Sequence, residues 1–173
     1  KYLQQTGDGF VVETTYIKRP TKHILCVSTQ VGCVIRCQFC ASGLRSEGAL
    51  YQRSLSSAEM VDQCCNIAHE MDFAAHPKPL LFTFMGEGEP FLNFDACVAV
   101  FHELAAMKWP VPMRLAVSTS GIRPDLIRRL GEIEFRAPLR LQVSLHGPSD
   151  EIRSRIIPVT KPLAEILAAT RAY

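Results

Sequence analysis

Short apolar runs rich in β-branched residues recur along the chain, each bounded by polar residues, Gly or Pro. Runs of this length and composition are typical of β-strands. Five of them predict strands, at residues 9–17, 24–28, 80–85, 114–118 and 139–145. The segments 80–84 and 141–145 are nearly continuous in apolar residues, which favours strands of a parallel sheet that helices cover.

Between the last four strands, apolar positions recur at helical spacing. They predict helices at 57–73, 94–107 and 124–130, followed by 149–156 and another from 163 onward. Ser56 or Ser57, together with Glu59, supplies capping chemistry for the first helix. Strands and helices that alternate are typical of parallel βαβ units. The predicted fold class is therefore α/β, a partial (β/α) barrel of about four βα units preceded by an N-terminal β-hairpin.

This pattern also divides the chain. Residues 1–23 are expected to form the N-terminal hairpin extension, and residues 24–173 the barrel-type core. The chain opens inside the hairpin and closes inside a helical pattern. A half-barrel leaves an unpaired edge strand unless more chain completes it, so we expect a core that is truncated at its C-terminus.

Composition excludes some classes of function. Nineteen Lys and Arg against seventeen Asp and Glu give a net charge of +2, too near balance to indicate nucleic acid or an anionic membrane by charge alone. Basic residues such as Arg45, Arg53 and Arg153 could contact phosphate, or form ordinary solvated surface. No apolar run approaches the roughly 20 residues that span a bilayer, and the start is no signal peptide. The sequence predicts a cytoplasmic protein with no membrane partner.

Seven cysteines, four of them within fifteen residues, indicate metal or thiol chemistry in a reducing compartment. Cys33, Cys37 and Cys40 form a CxxxCxxC motif directly after the first barrel-type strand. Loops at the carboxyl ends of barrel strands form the active face. Three thiolates can ligate three irons of a [4Fe-4S] cluster and leave the fourth iron open to S-adenosylmethionine (SAM). In this respect the motif resembles the radical SAM superfamily.

A structural zinc site is the alternative for this motif. It would use Cys26 as a fourth ligand beside Cys33, Cys37 and Cys40, because four-cysteine zinc sites are common. Such sites usually pair two short cysteine hairpins, and the spacing of this motif does not.

The next strands also end in groups that could bind a ligand. The segment 85–90 reads MGEGEP, in which glycines allow close backbone approach and a carboxylate can accept hydrogen bonds from an ammonium group. It resembles the glycine-rich motif of the superfamily that binds the SAM amino group, with Gly88 and Glu89 at the matching places. Segments 118–121 and 144–147 add hydroxyl, imidazole and backbone donors. The alternatives are a plain polar turn and serines that only cap the next helix.

Five stretches together resemble one family: residues 26–33, 33–43, 84–90, 117–121 and 143–153. This family comprises the dual-specificity RNA methyltransferases that methylate carbon 2 of adenine in 23S rRNA and tRNA; relatives that methylate carbon 8 are close. The resemblance implies a [4Fe-4S] cluster, two SAM molecules, rRNA and tRNA as substrates and a reductant such as flavodoxin. By the same resemblance, six residues would contact SAM: Gly88, Glu89, Ser118, Ser144, Leu145 and His146.

The resemblance also implies a catalytic role for Cys26. In the family, a methylated cysteine near the C-terminus forms an adduct with adenine, which a second cysteine resolves, and Cys26 occupies the place of that second cysteine. The alternative is a small buried residue on a strand. Three further cysteines lie on helical patterns, where core positions are expected: Cys64, Cys65 and Cys97.

Two departures from the family pattern keep other functions open. Glu87 stands where the family usually has Met, and the stretch 44–53 looks longer than usual. Both changes are expected near SAM and substrate. A radical SAM paralogue with another substrate and a non-enzymatic zinc-binding module are the alternative functions.

Overall fold

A computed structural model of the chain describes residues 1–44 and 51–173. The longer stretch expected at 44–53 therefore falls mostly outside the described residues. The strands are β1 (Tyr2–Gln5), β2 (Val11–Lys18), β3 (His23–Cys26), β4 (Gln30–Val31), β5 (Arg53–Ser54), β6 (Leu80–Phe84), β7 (Met113–Thr119) and β8 (Leu139–Val143). The helices are α1 (Ala41–Leu44), α2 (Ser57–Glu70), α3 (Phe94–Ala106), α4 (Pro124–Gly131), α5 (Asp150–Ile156) and α6 (Leu163–Ala172), with a 3₁₀ turn at Pro90–Leu92.

Six strands form the main sheet in the order β1-β2-β3-β6-β7-β8. The hairpin strands pair antiparallel, as do β2 and β3, whereas β3, β6, β7 and β8 are parallel neighbours. The predicted α/β class, with a hairpin and four parallel strands, is confirmed. Because β2 bonds directly to β3, the hairpin continues the sheet, and the division at residue 23 stays a prediction.

One face of the sheet carries the core. Leu25, Phe82 and Leu115 are in register on three neighbouring strands, and each is at most 1% exposed. Burial of such a side chain stabilises the fold by about 1.5–3 kcal/mol. Strand alternation places Cys26 and Thr83, also in register, on the opposite face. The helix-covered face therefore contributes the hydrophobic core, while the other face is the interior side of the partial barrel.

Element ends differ from the predictions in places. Ser56, not Ser57, caps α2: its hydroxyl accepts from the Glu59 N–H, and its own N–H donates to the Glu59 carboxylate. This helix ends at Glu70 rather than residue 73, because Met71 is extended. The last predicted strand stops at Val143, and His146 beyond it adopts a left-handed backbone with φ 55°.

Among the described strands, β8 lies at one edge of the sheet and β1 at the other. Along β8, exposed Arg140 and Gln142 alternate with partly buried apolar residues, so only one face of this strand is covered. None of the described helices is long and apolar enough to cross a membrane.

Candidate functional site

The carboxyl ends of β3, β6, β7 and β8 meet at one edge of the sheet, where their loops enclose a cavity of about 180 Å³. Parallel strands place their following loops on the same side, so residues far apart in sequence become neighbours. The cavity is lined by Cys33, Ile35, Cys37, Phe39, Cys40, Phe84, Met85, Gly86, Gly88, Glu89, Ser118, Thr119, Ser120, Ser144, His146 and Ile157. All three motif cysteines and five of the six expected SAM contacts are thus together; Cys26 and Leu145 are not among the lining residues.

A larger groove lies between β1 and α2, with a volume of about 550 Å³. It is lined in part by Glu59, Asp62 and Glu70, and none of the seven cysteines lines it. The smaller cavity is the better candidate because the motif cysteines and the side chains that could bind a ligand converge there.

The cysteine loop is anchored by a small apolar cluster of its own. Ile35, which is 1% exposed, packs with Ile122 and Ile157. The Gln38 N–H also donates to the Ile156 carbonyl at 2.9 Å, which ties the loop to the end of α5. A Cys40 N–H bond to the Cys37 carbonyl, 3.0 Å long, closes the turn between the last two motif cysteines. The loop therefore has a defined position over the cavity.

The three thiols influence one another. Burial, together with smaller contributions from the nearby Cys33 and Cys40, raises the pKa of the Cys37 thiol to about 11. Burial also raises the pKa of Cys33. Among the described residues, no three metal-binding side chains already surround a common point. The loop brings the thiols to one cavity, and a bound cationic centre would supply the charge that stabilises them as thiolates.

The Glu89 carboxylate fixes two strand ends to each other. It is 4% exposed, and it accepts from the Thr119 hydroxyl at 2.6 Å and the Ser120 N–H at 2.8 Å. The Phe91 N–H donates to the same carboxylate at 3.1 Å. A carboxylate has about four acceptor positions, so roughly one remains for a ligand. The side chain expected to bind an ammonium group is thus mainly a bridge between the loops after β6 and β7.

The glycines beside Glu89 allow close packing. A Cβ on Gly86 would lie 2.7 Å from the backbone nitrogen of Ser28, and Gly88 has φ 105°. Between them, the Glu87 N–H donates to the Ser28 hydroxyl at 2.9 Å, and its carbonyl accepts from the Thr29 N–H at 2.8 Å. Glu87 is 6% exposed and is not among the cavity-lining residues, unlike both glycines. Glu87 therefore lies beside the cavity through its backbone, and its place near SAM and substrate stays a prediction.

Two residues at or beside the site were not singled out from the sequence, although each lies in a segment named there. Ser120 lines the cavity and is 7% exposed, yet its hydroxyl has no hydrogen-bond partner among the described residues. Arg153 was expected to lie at the surface or contact phosphate, and this was wrong, because it is 0% exposed. Arg53 is held by Asp8 and Glu59, and Arg45 lies outside the described residues. The sequence did contain an indication that Arg153 matters, because it lies within the stretch 143–153 that resembles the family.

Cys26 ends β3, on the interior side of the sheet. It is in register with Thr15 on β2 and Thr83 on β6, and burial raises the pKa of its thiol. It lies close in sequence to the cysteine loop but is absent from the cavity lining. The zinc alternative needs Cys26 as a fourth ligand and gains no support from this placement, and the catalytic role of Cys26 stays a prediction.

A parallel α/β sheet with three cysteines and a Gly-Glu turn around one strand-end cavity defines a class of barrel enzymes that hold an iron–sulfur cluster at the barrel mouth. The radical SAM superfamily model matches residues 27–173, and the chain belongs to this superfamily. Members of the superfamily in general use a [4Fe-4S] cluster and SAM.

Individual relatives are consistent with this assignment. The dual-specificity RNA methyltransferase RlmN of Syntrophobacter fumaroxidans is 38% identical over 177 residues, covering 100% of this chain and 49% of the relative. The enzyme of the same name from Marinobacter nauticus is 36% identical over 179 residues, covering 100% and 46%. A crystal structure of a radical SAM methyltransferase from Sphaerobacter thermophilus has a TM-score of 0.82 at 34% identity, covering 96% of this chain and 48% of that one. The chain thus spans about half the length of the relatives it matches.

Proposed function

We propose that the chain is the radical SAM core of an RNA methyltransferase that modifies carbon 2 of adenine in 23S rRNA and tRNA. The single observation that carries the proposal is the cavity in which three motif cysteines meet the Gly-Glu turn and the serine and histidine rim. The names of the relatives support RNA as the substrate class.

The donor set fits an iron–sulfur cluster in number and kind. Cys33, Cys37 and Cys40 would hold it, because three thiols on one anchored loop leave one iron free for SAM. Bound there, the cluster would supply the electron for reductive cleavage of SAM. The chain's own contribution is to fix the loop through Ile35 and to enclose the reacting groups on one side of the sheet.

SAM would be oriented by the rim. Gly88 and Glu89 would face its amino group, with the remaining acceptor position of the carboxylate available. Ser118 and Ser144, whose hydroxyl oxygens are 3.5 Å apart, would contact the ribose or carboxylate together with His146. Leu145 would contribute through the same turn, although its carbonyl already accepts from Arg153.

Cys26 is proposed as the cysteine that resolves the protein–RNA adduct. Its partly buried position on the interior side of the sheet supports this role. Burial raises the pKa of the thiol, so Cys26 would be protonated at neutral pH and would need a base to take its proton before it could attack the adduct.

Three further parts belong to the proposal. Residues 1–23 form the hairpin extension and residues 24–173 the radical SAM core. A flavodoxin-type reductant supplies electrons. The location is cytoplasmic, which seven free cysteines support, since thiols persist in a reducing compartment.

RNA modification tests this proposal. Full-length protein, loaded with iron and sulfide without oxygen, is incubated with SAM, reductant and either 23S rRNA or tRNA, and nucleosides are analysed by mass spectrometry. We expect 2-methyladenosine, and we expect Cys26→Ala to accumulate a protein–RNA adduct. Methylation at carbon 8, or SAM cleavage without RNA methylation, would refute the proposed specificity.

A further inference from the structure

Arg153 on α5 is a buried cation whose hydrogen-bond partners are all neutral. Its guanidinium donates to the backbone carbonyls of Ser120, Ser144 and Leu145, and to the Thr160 hydroxyl at 2.7 Å. In the part of the chain that the structure describes, no carboxylate forms an ion pair with it. Burial of a charge that no carboxylate pairs is costly, and the four hydrogen bonds offset part of that cost. The arginine is therefore expected to have a specific role at this position.

The carbonyls that Arg153 binds belong to both loops on one side of the cavity. Ser144 and Leu145 accept from the same guanidinium nitrogen, directly before His146 turns left-handed. The His146 ring then lies 4.4 Å from the Phe39 ring on the cysteine loop, measured between centroids. Arg153 therefore fixes the turn that brings the histidine against Phe39 of the cysteine loop.

The other loop is held from both sides at Ser120. Its carbonyl accepts from Arg153, and its N–H donates to the Glu89 carboxylate at 2.8 Å. Ser120, whose backbone is fixed in this way, is one of the cavity-lining residues, and its buried hydroxyl has no partner among the described residues. A buried hydroxyl without a partner is destabilising unless a ligand completes it.

We propose that Arg153 is a positioning residue of the SAM site: it sets the Ser120 hydroxyl and the 144–146 turn, and that hydroxyl bonds directly to SAM. A planar guanidinium is suited to this role, because its five N–H donors reach carbonyls in two loops at once. A lysine ammonium keeps the charge but cannot span both loops. This inference rests on the proposed function, since it takes SAM as the ligand of the cavity.

The test measures SAM affinity on the cluster-loaded full chain, by titrating SAM and following the electron paramagnetic resonance spectrum of the reduced cluster. Iron content and thermal midpoint are measured in parallel. We expect Ser120→Ala to weaken SAM binding about three- to tenfold, the effect of one lost hydrogen bond, with no loss of iron or thermal stability. Arg153→Lys should weaken binding more, and Arg155→Met, an exposed control on the same helix, should leave it unchanged.

A double variant shows whether Arg153 acts through Ser120. If it does, Arg153→Lys with Ser120→Ala binds SAM little worse than Arg153→Lys alone, because coupled residues are not additive. Wild-type affinity in Ser120→Ala, or fully additive losses, would overturn the inference. If Arg153→Lys fails to fold, wild-type SAM affinity in Ser120→Ala still overturns the inference. A wild-type chain that binds neither iron nor SAM would instead overturn the proposed function itself.

Discussion

Replacing Glu89 by Gln tests the bridge between the loops after β6 and β7. The carboxylate accepts three hydrogen bonds while 4% exposed, and a glutamine can keep those to one oxygen only. If the amide oxygen retains the Phe91 and Thr119 donors, the amide nitrogen faces the Ser120 N–H, so two donors oppose each other.

The expected cost follows from these contacts. A lost hydrogen bond to a charged group costs about 1.5–3 kcal/mol, and a buried donor left without a partner about 1–3 kcal/mol, with partial relaxation between them. We therefore expect Glu89→Gln to lower the free energy of unfolding by about 2–4 kcal/mol. For a chain of this size that corresponds to a thermal midpoint lower by about 5–15 °C.

Urea unfolding of the metal-free, reduced chain at pH 7 provides the assay, with the midpoint and slope compared between variants. Glu134→Gln is a matched control, because Glu134 is exposed on the loop before β8 and should change stability by less than about 0.5 kcal/mol. If Glu89→Gln is as stable as this control, the carboxylate does not hold the two strand ends and the reasoning fails.

Three further predictions follow from other contacts. Gly86→Ala should destabilise the chain by about 1–3 kcal/mol in urea unfolding, because the new Cβ would lie 2.7 Å from the Ser28 backbone nitrogen. Arg53 holds the pKa of Glu59 at about 2, below its ordinary value of 4.5. That stabilisation, about 1 kcal/mol for a partly exposed pair, should be present above pH 4.5 and lost as pH falls through 2, seen as a pH dependence of stability that Glu59→Gln reduces. Ile35→Ala should lower iron content after reconstitution, because the cysteine loop loses its apolar anchor.

Each of these has a control within the chain. Gly7→Ala meets no atom within 4 Å and should be nearly neutral, so equal effects at both glycines would contradict the steric argument. Glu134→Gln should leave the acid dependence intact, and an unchanged slope in the Glu59 variant would contradict the ion-pair account. Val159→Ala changes a side chain that is 42% exposed and should retain full iron loading. If this variant loses as much iron as Ile35→Ala, the claim that Ile35 anchors the cysteine loop is contradicted.

Much of the fold could be predicted from local pattern. The parallel strands are short apolar runs between turn residues. The capping box can also be recognised locally, because Ser56 and Glu59 are only three residues apart. The shared position of the cysteine loop and the Gly-Glu turn also follows, because every loop after a parallel strand lies on the same side. These features depend on residues near one another in the chain, or on the strand direction alone.

The remainder depends on contacts that only the tertiary structure creates. An arginine in a polar helix pattern is expected at the surface, but Arg153 is buried and its guanidinium donates to three carbonyls of two different loops. The buried hydroxyl of Ser120 cannot be distinguished in sequence from the neighbouring hydroxyls of Ser118 and Thr119. The last strand ends at Val143, and the carbonyls of the next two residues accept from Arg153, a contact that no local propensity indicates.

The central claim is that Cys33, Cys37 and Cys40 bind the cluster that cleaves SAM, and one measurement tests it most directly. The chain is reconstituted with iron and sulfide without oxygen, reduced with dithionite and given SAM, and 5′-deoxyadenosine is quantified beside Cys37→Ala and Cys65→Ala variants. Cys65 lies on α2, outside the cavity lining, and serves as the matched control. The account predicts product in the wild type and Cys65→Ala but none above background in Cys37→Ala; a colourless, zinc-loaded protein that forms no product would contradict it.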